Sequence, residues 1–180
     1  MLCTGVVDTP AAAGQNQPMR LTVSAERSLP CTPEVAFELA TNPDRFPVFF
    51  TGFGPVRGIS GIRLHSDLAV GSQRRVHLVD GNVLTERVVE HDPPVRHGYT
   101  LSGFRPPMAW LVSQGEAMWS LAGHEFGCRV RWDYEFTLAK RWLAPVAAQV
   151  CSSITTSGVP PSTTAATASM PSGPSDLASQ

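Results

Sequence analysis

Nothing in this chain is spaced to hold a metal. The five histidines, His65, His77, His91, His97 and His124, never fall at H-x-H or H-E-x-x-H intervals. The four cysteines, Cys3, Cys31, Cys128 and Cys151, include no C-x-x-C pair. Neither a zinc site nor a disulfide framework is expected from such a pattern, and lone thiols fit a reducing compartment. No cofactor is expected either: "GFGPVRG" (52–58) has its last glycine one residue too far for a dinucleotide fingerprint, and no helical pattern follows. The absence of a G-x-S-x-G elbow argues against a nucleophilic serine.

An excess of either charge is missing as well. A formal net charge of −1 gives no electrostatic reason to expect nucleic acid as a partner. No run approaches the roughly 18 apolar residues that a spanning helix needs. The opening "MLCTGVVDTPAAAGQNQP" lacks the basic start and apolar core of a signal peptide. The expectation is a soluble, cytoplasmic protein without a membrane span, its oligomeric state open.

What the chain does have is apolar residues in period-2 order. A length of 180 residues, 42% of them apolar, suits one domain with a real core. Residues 1–19 are small and polar and are expected to be a mobile, disordered leader. "LTVSAERSL" (21–29) alternates as a strand. "PCTPEVAFELATNP" places Thr32 as an N-cap before Pro33 at the first helical position, with Glu34 in the first turn. Asn42-Pro43 ends that helix and repeats the cap arrangement for a second short helix, whose apolar side is Phe46, Phe49 and Phe50.

Strand patterns follow to residue 138. "GPVRGISGIRLH" is weak and Gly-rich, "RHGYTLSGF" and "GEAMWSLAG" alternate, and "GFRPPMAW" is read as an inter-strand loop. In "CRVRWDYEFTL" (128–138), Val130, Trp132, Tyr134 and Phe136 share one face, while Arg129, Arg131, Asp133 and Glu135 share the other. One dry face and one wet face describe an antiparallel sheet covered on a single side. "KRWLAPVAAQV" (140–150) then turns to helical spacing. From residue 151 the composition breaks: 23 of the last 30 residues are Ser, Thr, Ala, Pro or Gly, and Asp176 is the only charged one. Such a tail is expected to be disordered.

"VGSQRRVHLVDGNVLTERVVEHDPP" (70–94) reads as a hairpin turning at Asp80-Gly81. A two-residue loop sets Arg75 opposite Glu86 and Arg74 opposite Arg87. A loop of three residues, Asp80 to Asn82, sets Glu86 opposite Val76 and Arg75 opposite Arg87. The first register is preferred slightly, with an Arg75–Glu86 ion pair on the outer face as the plainer reading. In the other reading Glu86 points inward, as a polar anchor or general acid/base with a raised pKa.

The hairpin with "RHGYTL", "GEAMWSL" and "CRVRWDYEFTL" resembles the polyketide cyclase/dehydrase-like members of the START-like ligand-binding superfamily known as SRPBCC. "ERSLPCTPEVAFELATNPDRFP" is similar to that family's opening strand and helix pair. The resemblance covers about residues 21–150, and the ligand-binding domain is expected over 20–150. It implies an α+β helix-grip fold: a curved antiparallel sheet of about six or seven strands around a C-terminal helix, with an apolar cavity between them. It further implies an apolar or aromatic small-molecule partner, lipid- or polyketide-like. In such a hollow fold Tyr99, Trp119, Trp132 and Tyr134 line the pocket together with Val76, Leu84 and Leu101, and Phe50 and Phe53 stand at one rim. Glu86, Tyr99 and Tyr134 are then the candidates for catalysis by a cyclase or dehydratase. A non-catalytic interaction domain, docking through an exposed apolar face, is a third possibility. The family's last helix runs for several turns, whereas here the helical pattern stops near Val150. The ending reads as truncated or altered, as a shifted reading frame would produce, leaving one side of the sheet open.

Overall fold

The computed structural model describes residues 3–6, 19–53 and 56–140. In chain order the strands and helices are β1 (Cys3–Val6), β2 (Arg20–Leu29), α1 (Pro33–Thr41), α2 (Phe46–Phe49), β3 (Gly52–Phe53), β4 (Val56–Arg57) and β5 (Ile59–Leu64). They continue with β6 (Gln73–Leu78), β7 (Val83–Asp92), β8 (Arg96–Ser102), α3 (Met108–Leu111), β9 (Val112–His124) and β10 (Gly127–Leu138).

Eight strands form one antiparallel sheet in the order β1-β2-β10-β9-β8-β7-β6-β5, while β3 and β4 pair separately. From β5 to β10 each strand hydrogen-bonds to the next in sequence, and β2 then closes against β10. With α1 packed against β9 and β10, and α2 against β5, this is the expected helix-grip arrangement. The leader expected over residues 1–19 contains an edge strand: β1 pairs with β2 from Cys3↔Ala25 to Val6↔Thr22. The expected helix over 140–150 and the tail 151–180 lie outside the described residues.

Strand alternation sets the inward face. In β10 Cys128, Val130, Trp132, Tyr134, Phe136 and Leu138 are buried, while Arg129 and Arg131 are exposed. In β2 Leu21, Val23 and Ala25 are buried beside them. The outer face carries ion pairs instead, Arg20–Glu135, Arg129–Glu26 and Arg131–Asp133.

Helix α1 begins where expected, with Thr32 extended ahead of Pro33. The second helix starts later than Pro43. The side-chain oxygen of Asn42 accepts from the Asp44 and Arg45 backbone N–H groups at 2.9 and 3.1 Å, holding a turn, and α2 opens only at Phe46. Phe46 and Phe50 are buried by this corner and stack at 6.2 Å.

The hairpin adopts neither expected register. Leu78 and Asn82 close the loop, with Leu78 N–H donating to the Asn82 carbonyl at 2.8 Å, so Val79, Asp80 and Gly81 form the turn. Within this turn Gly81 takes the left-handed conformation, at φ +82°. The pairing therefore becomes Arg74↔Glu86 and Arg75↔Thr85, with Gln73 opposite Arg87. Arg74 and Glu86 share the inward face with Val76, Leu84 and Val88, all buried. The outer-face Arg75–Glu86 pair is thus replaced by an inner Arg74–Glu86 pair.

Candidate functional site

Aromatic rings cover the inward face where β9 and β10 meet. Trp119 and Trp132, directly opposed across the strands, stack with centroids 4.7 Å apart and planes 11° from parallel. Tyr134 meets Trp132 edge-on at 5.5 Å and stacks on Phe136 at 4.4 Å. Gly115, paired with Phe136, makes room for this array: a Cβ there would lie 2.7 Å from a Tyr134 ring carbon.

In front of these rings is a cavity of about 90 Å³, counted as space open to the centres of water molecules. At the roughly 10–15 Å³ that one water needs on this measure, it holds several. Its walls come from α2, β5 to β8, β10 and the loop into α3, which supply Phe46, Ile62, Phe104 and Met108 as well as Trp132, Tyr134 and Phe136. Among the residues expected to line a pocket, Phe50, Val76, Leu84, Tyr99, Leu101, Trp132 and Tyr134 do so. Trp119 does not reach the wall. It lies behind Trp132 and also meets Phe46 nearly at right angles, with centroids 6.2 Å apart. The Phe53 side chain is outside the described residues.

Glu86 also faces the cavity, only 4% exposed. Its Oε1 receives two N–H groups of Arg74, from Nε at 2.7 Å and from Nη2. Arg74 is 3% exposed and also donates to the Thr41 carbonyl at 2.9 Å. Burial pushes the Glu86 carboxyl above its ordinary value, against the pull of Arg74. Protonating Glu86 would leave the buried Arg74 guanidinium without its counter-charge. The pair is therefore ionic at neutral pH.

Behind Arg74 the polar chain continues through two histidines. Arg74 Nη2 lies 3.3 Å from His97 Nε2, and His97 Nδ1 lies 3.2 Å from His91 Nδ1. Because arginine only donates, His97 Nε2 must accept, so the neutral ring carries its proton on Nδ1 and donates it to His91. His91 then holds its own proton on Nε2. Burial, followed by the charge of Arg74 and the neighbouring His91, lowers His97 to about 3, so it is neutral near pH 7. His91 is lowered for the first two reasons as well.

Tyr99 lies 5.7 Å from His97, centroid to centroid. Burial and the nearby Glu86 charge push its phenol up, so the hydroxyl keeps its proton. The indole N–H groups of Trp119 and Trp132 meet no hydrogen-bond acceptor among the described residues. The arrangement is an aromatic cavity with one buried carboxylate, Glu86, and two phenols, Tyr99 and Tyr134, in its wall. Among the described residues no cluster of three His, Cys, Asp or Glu could hold a metal, and no helix is long and apolar enough to cross a membrane.

Alternation along β6 and β7 carries the signal for Arg74 and Glu86, since Val76 and Leu78, and Leu84 and Val88, share their parity. His91 carries no such signal. The pairing of β7 with β8 shifts between Val88 and Glu90, and this irregularity turns His91 toward His97.

Solved structures share this fold at low identity. A START superfamily protein from Mycobacterium smegmatis is 13% identical with a TM-score of 0.57, covering 73% of this chain and 87% of that one. A protein from Mesorhizobium loti is 17% identical with a TM-score of 0.57, covering 77% and 93%. The di-domain ARO/CYC BexL from the BE-7585A biosynthetic pathway is 11% identical with a TM-score of 0.55, covering 78% of this chain and 48% of that one. None of the curated proteins matches the chain in sequence. The family model for polyketide cyclase/dehydrase and lipid transport matches residues 20–159, from the first residue of β2 to beyond the last strand. By that span the chain belongs to the polyketide cyclase/dehydrase and lipid-transport family.

Proposed function

We propose that the protein binds an apolar or aromatic small molecule, lipid- or polyketide-like, in the cavity in front of Trp132 and Tyr134. The observation that carries this reading is the composition of the wall: rings and aliphatic side chains throughout the deep part, with Glu86 as its one charged group. A mostly apolar pocket with a few placed polar groups is the usual form of a small-molecule site. The family description, with its cyclases and lipid transporters, agrees. The free thiols of Cys31 and Cys128 support a cytoplasmic location.

Native mass spectrometry of protein purified from its own host should find a co-purified apolar molecule. In solution, a neutral dye such as diphenylhexatriene should quench tryptophan emission on binding. Trp132→Ala should weaken that binding about tenfold or more, in line with the loss of a buried aromatic contact. Arg75→Ala, on the exposed face, should leave it unchanged. Equal losses from both changes, or no binding at all, would count against the reading.

A second reading, a cyclase or dehydratase, draws support from Glu86. A cavity carboxylate whose pKa is raised by burial can take a proton from a substrate carbon and return it to a leaving oxygen. Docking through the outer sheet face draws none, because the described part of that face carries charged pairs in place of an apolar patch.

A further inference from the structure

Two ends of the cavity differ in charge. Asn82, Leu84 and Glu86 all line it from one arm of the hairpin. Their exposure falls from half-buried at Asn82 to 6% at Leu84 and 4% at Glu86. Asn82 therefore marks the shallow end and Glu86 the deep end. Four residues of extended chain at about 3.3 Å each set them ~13 Å apart.

The deep end asks for a hydrogen-bond donor. Both Arg74 contacts fall on Glu86 Oε1, and Oε2 accepts no hydrogen bond among the described residues. Arg74 is itself occupied by Glu86, the Thr41 carbonyl and His97. Since Arg74 balances the charge of Glu86, an added ammonium group would bury a net positive charge, and a carboxylate would be repelled at close range. A neutral hydroxyl satisfies Oε2 without either cost.

Of the exposed charged residues that line the cavity, Arg57 lies near Asp80, and Arg105 is the third. Arg57 approaches Asp80 only to 4.0 Å, and the Arg105 side chain has no hydrogen bond or ion pair among the described residues. Two guanidinium groups against one carboxylate leave a net charge of +1 at the opening, which favours an anionic group.

We infer that the preferred ligand is a rigid hydroxy acid that enters hydroxyl first. Its hydroxyl donates to Glu86 Oε2, its apolar rings lie against Leu84, Trp132 and Tyr134, and its carboxylate stays at the opening with Arg57 and Arg105. This rests on the ligand-binding reading above and adds orientation and chemical class to it.

The test changes the ligand rather than the buried residues, so it does not depend on how well a core variant folds. Four probes are titrated against the full chain by displacement of diphenylhexatriene: a hydroxybiphenyl carboxylic acid with its two polar groups at opposite para positions, its methyl ester, the same acid without the hydroxyl, and biphenyl. The hydroxy acid should bind tightest, and loss of either polar group should weaken it about tenfold or more, as expected for hydrogen bonds to charged partners. Replacing both exposed arginines, Arg57→Gln with Arg105→Gln, should erase the advantage of the acid over its ester and keep that of the hydroxyl. If the ester or the deoxy acid binds as tightly as the hydroxy acid, the inference is overturned while the apolar pocket stands. If neither biphenyl nor the dye binds, the pocket reading falls and takes this inference with it.

Discussion

His97 is fully buried without a charge of its own, and that has a consequence in acid. The unfolded chain binds a proton at this ring near its ordinary value of 6.5, whereas the folded chain resists until about 3. Between those values the unfolded state holds more protons, so stability is complete above pH 6.5 and erodes as pH falls toward 3. The loss is on the order of a few kcal/mol, since each unit of separation is worth about 1.4 kcal/mol. His91, also lowered, acts in the same direction. Glu86 works against them: its raised carboxyl favours the folded state at low pH and costs stability as pH climbs above 4.5. Two histidines act against one carboxyl, so the expected net trend is a loss of stability in acid. Melting temperature measured from pH 7 to pH 4 should fall steeply for the natural protein and less steeply for His97→Phe, whatever the variant's absolute stability. Parallel slopes would show that His97 does not set the acid limit. At this scale the sequence was readable in part. The parity of Glu86 with Leu84 and Val88 was present in the letters, but its charge suggested solvent, and only a buried partner on β6 makes the inward placement tolerable.

Strands were more legible than single side chains. The alternation in β2, β8, β9 and β10 placed their apolar faces correctly, because a period of two leaves only two choices for each strand. What the letters hid were features set by pairing. The loop of Val79 to Gly81 depends on the bond between Leu78 and Asn82, and the irregularity after Val88 depends on how β8 lies alongside. β5 was obscured by Gly61 within it and Gly58 just before it, and the short helix α3 sat inside a Pro-rich stretch read as loop. One pairing position has a direct test. Gly115→Ala brings a methyl group to within 2.7 Å of the Tyr134 ring unless something shifts. Overpacking of this kind costs about 1–3 kcal/mol. The expected outcome is a lower melting temperature together with weaker dye binding, because the displaced ring is part of the cavity wall. Ser113→Ala, exposed on the same strand, should change neither. Retention of both properties in Gly115→Ala would mean that Tyr134 yields freely.

At the scale of the whole molecule, the family match extends to residue 159, nine residues past the composition break expected at 150. The helical stripe expected from Trp142, Leu143, Val146, Ala147 and Val150 falls inside that match. A chain ended after residue 159 should therefore keep the full melting temperature and dye affinity. A chain ended after residue 139 should lose its cooperative transition, since each large apolar side chain removed from a core forfeits about 1.5–3 kcal/mol. Thermal melts of the two truncations decide it, and equal melting temperatures would place the stripe outside the core.

The stacked indoles of Trp119 and Trp132 have one more consequence, an optical one. Two identical chromophores held face to face at 4.7 Å do not absorb independently. Their transitions couple, and an excitation created on one ring is shared by the other. Trp132 forms part of the cavity wall while Trp119 lies behind it, so a molecule pressing on the first ring perturbs the excited state of both. The protein thus carries, in its own circular dichroism and emission, a gauge of whether the space in front of those rings is filled.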